Sequence, residues 1–402
     1  MVVANDMLNR VRAFIASGPS RLPEESTLFA PNAQHTANVI WPLVARRNLK
    51  RLMTTAVRLA GVADTTTHDA LFVLLGAVLE LSDDALTCFL TQPEVTSWIV
   101  GAEQARAGDA AIFTAWLGQF VLAEVASVGG VLPAVPVATS SPHHVELRAW
   151  GRRLVSEAPL PAAVTCSFRR GVLSFGNGRW MEQHVEPGDT RLVQLPRLAP
   201  RLFVSGGPNA WLTHAFPEAE QVAELDAPRL SAFAALLGRG IEVLSVVWPE
   251  AWHEVEVMLR WVVPLVPNSS FYVPGFRGLI AVGETNTYPM AMTLFHETSH
   301  NKFSSILDLS DASSNPDEPV FSPFARDKGP VTSLIHSCWS FGREYQLIQR
   351  LKAAGHLKGA GIQKLEKKFQ VFFDKGIPSL RRTARLTPLG DAVLASIEQS
   401  IR

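Results

Sequence analysis

Cysteine is nearly absent: the chain of 402 residues has three, Cys88, Cys166 and Cys338. They stand in unrelated contexts with no CxxC pair, which excludes a zinc ribbon, a dithiol redox motif and a disulfide-framed fold, and suits a reducing compartment. A surplus of one charge is lacking too, since 37 basic residues balance 37 acidic ones. No global field therefore draws in nucleic acid or a membrane surface. The opening stretch MVVANDMLNRVRAFIASG alternates charged and apolar side chains without the apolar core of a signal peptide, and no later run reads as long enough for a membrane span. The expectation is a soluble, cytoplasmic protein with neither nucleic acid nor membrane as partner. Internal repeats and low-complexity tracts are also missing. Function must then reside in a local site.

What is present divides into three stretches. Over 1–130 apolar residues recur at helical spacing, as in WPLVARRNLKRLMTTAVRLAG and DALFVLLGAVLELSDDALTCFL, with Gly61 and Asp83 near helix ends. Over 131–210 a Gly, Pro and Ser-rich linker (GGVLPAVPVATSSPHH) leads into short segments, VELRAW, AVTCSFRR, GVLSFGN, RLVQLP and RLFVSG, that predict a small antiparallel sheet. Over 211–402 helices return, including RLSAFAALLGRGIEVLSVV and EAWHEVEVMLRWVVPLV, so this region reads as mostly helical. The predicted class is a helix-dominated α+β fold. From Arg343 to Arg402 there are 12 basic and five acidic residues. Their helical periodicity, as in QKLEKKFQVFFDK, marks a solvated basic face and not a nucleic-acid motif.

One segment carries chemistry: GLIAVGETNTYPMAMTLFHETSHNKFSSILDL. Asn286, Thr287 and Pro289 supply a helix start, and the helix is predicted from near Pro289 to near Leu309. At 3.6 residues per turn, His296 and His300 lie about 40° apart around the axis, so both imidazoles leave one face a turn apart. Met292, Thr293, Phe303 and Leu307 share that face, which turns the pair inward as a two-histidine metal clamp.

A catalytic metal usually takes three protein donors. The metzincin signature needs Gly and His at set distances after the second histidine, where this chain has Phe303 and Ile306. A thermolysin-like pattern needs a helical Glu, and Glu318 lies among prolines in SSNPDEPVFSP. His336, in the helix-compatible run VTSLIHSCWSFGREYQLIQRL beyond that loop, is the better candidate. His253 and the His143-His144 pair have no partner at ligand spacing.

The segments SSFYVPGFRGLIAV, LFHETSHNKFSSILDL, FSPFARDKGPV, LIHSCWSFGREYQLIQRL and RLTPLGDAVL together resemble the HExxH-type, iron- and 2-oxoglutarate-dependent peptide β-hydroxylases, over roughly residues 260 to 395. These modify ribosomally made precursor peptides, often beside a radical maturase. The resemblance implies Fe(II) held by His296, His300 and His336, with positions open for 2-oxoglutarate and O2. It implies hydroxylation of a side-chain Cβ and no protein nucleophile. Glu297 would then orient a ligand or bound water, bind iron directly or serve the fold, whereas in a zinc peptidase, the alternative with Zn as metal, it would activate water. The cosubstrate's distal carboxylate calls for a cation, and a planar guanidinium binds it with two parallel hydrogen bonds. Arg326 in PFARDKGP is the first candidate, displaced by one residue from the family pattern, with Lys328 and Arg343 as alternates. A third reading keeps the scaffold as a peptide-binding module without chemistry.

Overall fold

The computed structural model describes residues 2–401 apart from 20–21, 23–27, 157–158, 176–178, 182–189, 206–221, 223–224, 266–269, 274, 284–289 and 324–325. The amphipathic runs of the N-terminal stretch form α1 (Val2–Ala16), α2 (Trp41–Ala60), α3 (Thr65–Leu79), α4 (Asp83–Leu90), α5 (Pro93–Gln104) and α6 (Ala110–Ser127). Local chemistry sets their ends. Asp64 accepts from the Thr67 N–H to start α3, Ser82 caps α4, and Pro93 occupies the first turn of α5, where a missing N–H costs nothing. α6 is apolar all round and buried along nearly its whole length, as a central helix must be.

Of the predicted strands, all but RLFVSG, which joins a mixed sheet with parallel neighbours, fall in two small antiparallel sheets. In one, β1 (Leu132–Ala138) and β4 (Ala163–Arg169) pair, followed by β5 (Val172–Phe175) and β6 (Arg179–Met181). In the other, β3 (Arg152–Ser156) lies between β2 (His144–Leu147) and β7 (Thr190–Gln194). Strand β1 corrects the expectation of a linker here, because its prolines sit on the sheet's outer strand, where a missing donor is tolerated.

A larger correction concerns the C-terminal region. EAWHEVEVMLRWVVPLV is not one helix: α8 (Pro249–Met258), which follows α7 (Ala227–Val247), stops before a buried strand, β10 (Trp261–Leu265). β10 is the centre of a five-stranded mixed sheet in the order β11-β12-β10-β9-β8, built with β8 (Arg197–Ala199), β9 (Leu202–Val204), β11 (Ser270–Tyr272) and β12 (Leu279–Gly283). β10 runs parallel to β9 and β12, whereas β11 is an antiparallel edge. Side chains alternate across it. Trp261, Val263, Leu279 and Ala281 face the core shared with the N-terminal helices, and Val262, Ile280 and Val282 face the core of the C-terminal helices. A short apolar run buried on both faces carries no period that separates strand from helix.

The second core is formed by α7, α8, α9 (Met290–Leu307), α10 (Val331–Ala353), α11 (Ala360–Thr383) and α12 (Pro388–Ser400), with the hairpin β13 (Pro319–Ser322) and β14 (Asp327–Pro330) between α9 and α10. The motif helix is close to its predicted span, while its start signals Asn286, Thr287 and Pro289 lie outside the described residues. Gly240 lets α7 cross α9 closely, since a Cβ there would come within 2.6 Å of Met290 Cγ. Two segments, Ala107–Ser127 and Ala227–Val247, are long and apolar enough to cross a membrane by length and composition alone, which corrects the expectation that no run approaches that length. Together these elements make a helix-dominated α+β fold.

Candidate metal centre

Three elements meet at the motif. α9 is fixed lengthwise by Asn301, whose Oδ1 accepts from the Gly278 N–H at 2.8 Å and whose Nδ2 donates to Leu279 O and to Glu297 O. α10 is tied to it by Trp339, whose indole N–H donates to Ser299 O at 3.0 Å and whose ring stacks on Phe303. The far side of α9 carries Lys302, which pairs with Glu254 of α8 at 2.6 Å, and Glu254 also holds Arg343 of α10. Three helices are thereby pinned around one buried carboxylate, and the histidine face of α9 is turned toward β11 and α10.

On that face the Nε2 atoms of His296 and His300 stand 3.0 Å apart. Two nitrogens bound to one ion at about 2.0–2.1 Å, at right or tetrahedral angles, are about 2.8–3.4 Å apart, so the clamp is spaced for a metal. Without an ion, one Nε2 carries a proton and donates to the lone pair of the other, and metal binding would displace that proton from between them. His296 Nδ1 lies 2.8 Å from Glu344 Oε2 on α10. A carboxylate there fixes the proton on Nδ1 and aims the Nε2 lone pair at the site. Burial works against a charged His296, yet Glu344 more than offsets it and raises the imidazole above its ordinary range. His300 moves the other way, well below its ordinary range, through burial and the neighbouring His296 and His336.

Glu297 is buried under the edge strand. Ser270 Oγ donates to its Oε1 at 3.0 Å, and the Tyr272 backbone N–H adds a second bond. Burial raises its carboxyl above the usual range despite His296 and these bonds. The donor atoms of His296, Glu297 and His300 all lie within 4.8 Å of one another, two imidazoles and a carboxylate on adjoining faces of one helix. This is the donor chemistry of a 2-His-1-carboxylate site.

His336 stands beside this set. Its ring centroid is 4.7 Å from that of His300, and its Nε2 donates to His300 O at 3.1 Å. That bond places the proton on Nε2 and leaves Nδ1 with a lone pair. Burial lowers its pKa to about 4, so the ring stays neutral and able to ligate at ordinary pH. Tyr272 of β11 stacks on His300 with centroids 5.0 Å apart and also touches His336, while Phe341 packs on His296. Tyr272, Ser270 and Glu344 escaped the sequence reading. Glu344 sits two turns beyond His336 in FGREYQ, and no local spacing links it to a histidine 48 positions earlier.

Among the described residues the three cations named for a keto acid form no ion pair with the clamp. Arg343 is fully buried against Glu254 and between Phe295 and Trp339, where it braces the helices. Arg326, with φ of 55°, and Lys328 are exposed on the β13–β14 hairpin. That hairpin packs on α10 and α11. Glu318 lies just before β13, outside any helix, as its prolines predict. Compared with known proteins, the chain matches no family model and no curated protein.

Two outcomes follow from this geometry. Replacing Glu344 by Ala is expected to weaken metal binding about 10–100-fold, with Gln recovering part of it, because the group orients a ligand; titration with Fe(II) or Zn(II) checks this. The second concerns acid. In the metal-free protein His336 takes up its proton near pH 4 when folded and near 6.5 when unfolded. The unfolded chain therefore gains protons first, and stability is lost as pH falls through that window, by roughly 3 kcal/mol in all. Urea unfolding of His336→Asn should show a smaller loss over the same range.

Proposed function

We propose that this chain is a metal-dependent oxygenase of peptides, an Fe(II)- and 2-oxoglutarate-dependent enzyme that hydroxylates a side-chain Cβ in a ribosomally made precursor. The observation that carries the reading is the convergence of His296, Glu297 and His300 within 4.8 Å, with His336 adjacent and a carboxylate orienting His296. Two imidazoles and a carboxylate with open positions suit non-haem Fe(II). When bound, iron with 2-oxoglutarate and O2 supplies the oxidation that converts C–H to C–OH, with release of succinate and CO2. The chain's own residues bind, orient and exclude water. His296 and His300 hold the ion, Glu297 or His336 completes the set, and Glu344 keeps His296 in the donating tautomer. Tyr272, Phe303 and Phe341 make the surroundings apolar, which strengthens each electrostatic contact inside. Arg326 or Lys328 would receive the distal carboxylate of the keto acid, a role that the resemblance supports. A precursor peptide and, beside it, a radical maturase are the expected partners.

A zinc peptidase is the second reading, favoured by the raised pKa of Glu297, which moves it toward the range of a general base. Mass spectrometry separates the two. With Fe(II), 2-oxoglutarate and air, a precursor peptide encoded beside this chain should gain one oxygen while succinate forms. Cleavage to new termini without oxygen would instead establish the peptidase. Arg326→Ala should raise the 2-oxoglutarate requirement while metal occupancy stays constant.

A further inference from the structure

A second site is legible far from the histidines in sequence and sharing none of their residues. α1, α2, α4 and α8 line an open cavity of about 600 Å³, within the range of small-molecule sites. Part of its wall is apolar, with Phe14, Trp41 and Val257. At one end two guanidiniums come together. Arg260 follows α8 and gives its Nη1 to that helix's terminal carbonyls, Val257 O at 2.8 Å and Leu259 O at 3.1 Å. Its Nε is buried without a hydrogen-bond partner. Arg201, in the turn between β8 and β9, has its Nη1 against Cys88 Sγ. A thiol is a weak acceptor, and burial keeps this one protonated by raising its pKa. Glu124, a buried carboxylate that feels both charges, is pushed by burial to about 7 and already accepts from Gln92. Among the described residues the two guanidiniums meet a thiol and main-chain carbonyls and form no ion pair with a carboxylate. Asp83, Asp84, Glu256 and a third guanidinium, Arg46, line the same cavity, and Asp83 is paired with Arg10 at 2.6 Å. Arg201 and Arg260, meeting about Cys88, are the part of this wall that suits an anion.

We propose that this cavity binds a small organic oxyanion, a carboxylate or phosphate head on an apolar body, with the head on Arg201 and Arg260 and the body against Trp41 and Phe14. Guanidinium forks match both heads through paired hydrogen bonds, and an unpartnered buried donor is costly until something accepts from it. The inference stands independently of the chemistry at the histidine clamp.

Calorimetric titration of the full chain with 4-phenylbutyrate, phenyl phosphate and neutral 4-phenylbutyramide tests it. At least one of the two anions is expected to bind one to one, at about 1 mM or tighter. The amide should bind at least about tenfold weaker, since it lacks the charge that strengthens each hydrogen bond. Which anion binds tighter distinguishes a carboxylate ligand from a phosphate ligand. Arg260→Gln removes the helix-terminal bonds and can unsettle the fold, so Arg201→Gln, at an exposed residue, is the deciding variant, with an expected loss of about tenfold or more. The bound anion should also slow alkylation of Cys88 by N-ethylmaleimide while leaving Cys166 and Cys338 unchanged. Absence of binding by both anions at 10 mM would overturn the proposal, as would equal affinity for the amide or undiminished affinity in Arg201→Gln.

Discussion

His296→Ala is expected to cost at least about 100-fold in Fe(II) affinity, more than loss of the residue that orients it, because it removes one of the two nitrogens that define the clamp. The remaining nitrogen, His300 Nε2, would face a void where it now faces a partner at 3.0 Å. Buried residues brace both histidines, so the variant should keep its fold, and circular dichroism serves as control. The same anaerobic titration separates the candidates for the third donor. If His336 ligates through Nδ1, His336→Ala should approach the loss seen for His296→Ala while Glu297→Gln loses less. If Glu297 is the donor, the order reverses. Binding undiminished in His296→Ala would remove the metal centre and the oxygenase reading with it.

Glu254→Gln is expected to destabilise the protein by about 3–5 kcal/mol, the range for breaking a buried ion pair from one side. Glu254 is fully buried and serves two cations, Lys302 at 2.6 Å and Arg343, while also accepting from the Asn32 N–H at 3.0 Å. Although burial pushes its carboxyl up, Arg343 and Lys302 hold it below the usual range, so it is ionised at neutral pH. An amide leaves both cations in the core without a counter-charge. The exposed pair Arg381–Glu398, at 2.9 Å, is the internal control: Glu398→Gln should cost under about 1 kcal/mol, since water and salt screen it. Urea unfolding of both variants checks the contrast. Similar losses would show that the Glu254 network is not what holds α8, α9 and α10 together. Because α9 carries the clamp, a shift in metal affinity should accompany the loss of stability.

The sequence by itself determined the parts that depend on neighbours along the chain. A 3.6-residue period puts His296 and His300 on one face whatever packs around them, and the amphipathic runs from α1 to α5 and α9 to α12 specify helices in the same way. Ser82 and Asp64 mark helix starts by local hydrogen bonds that need no tertiary partner. Tertiary structure alone decided the rest. Whether WVVPL continues a helix or becomes a strand depends on β9 and β12 standing ready to share backbone hydrogen bonds with it, and β9 lies far away in sequence. Glu344 reaches His296 because α9 and α10 pack together, and Ser270 reaches Glu297 because β11 forms the sheet edge above α9. Arg343, an apparent free cation in the sequence, is spent on Glu254, 89 positions earlier. Such pairings join residues with no shared period or motif, so the three-dimensional path of the chain is what brings them together.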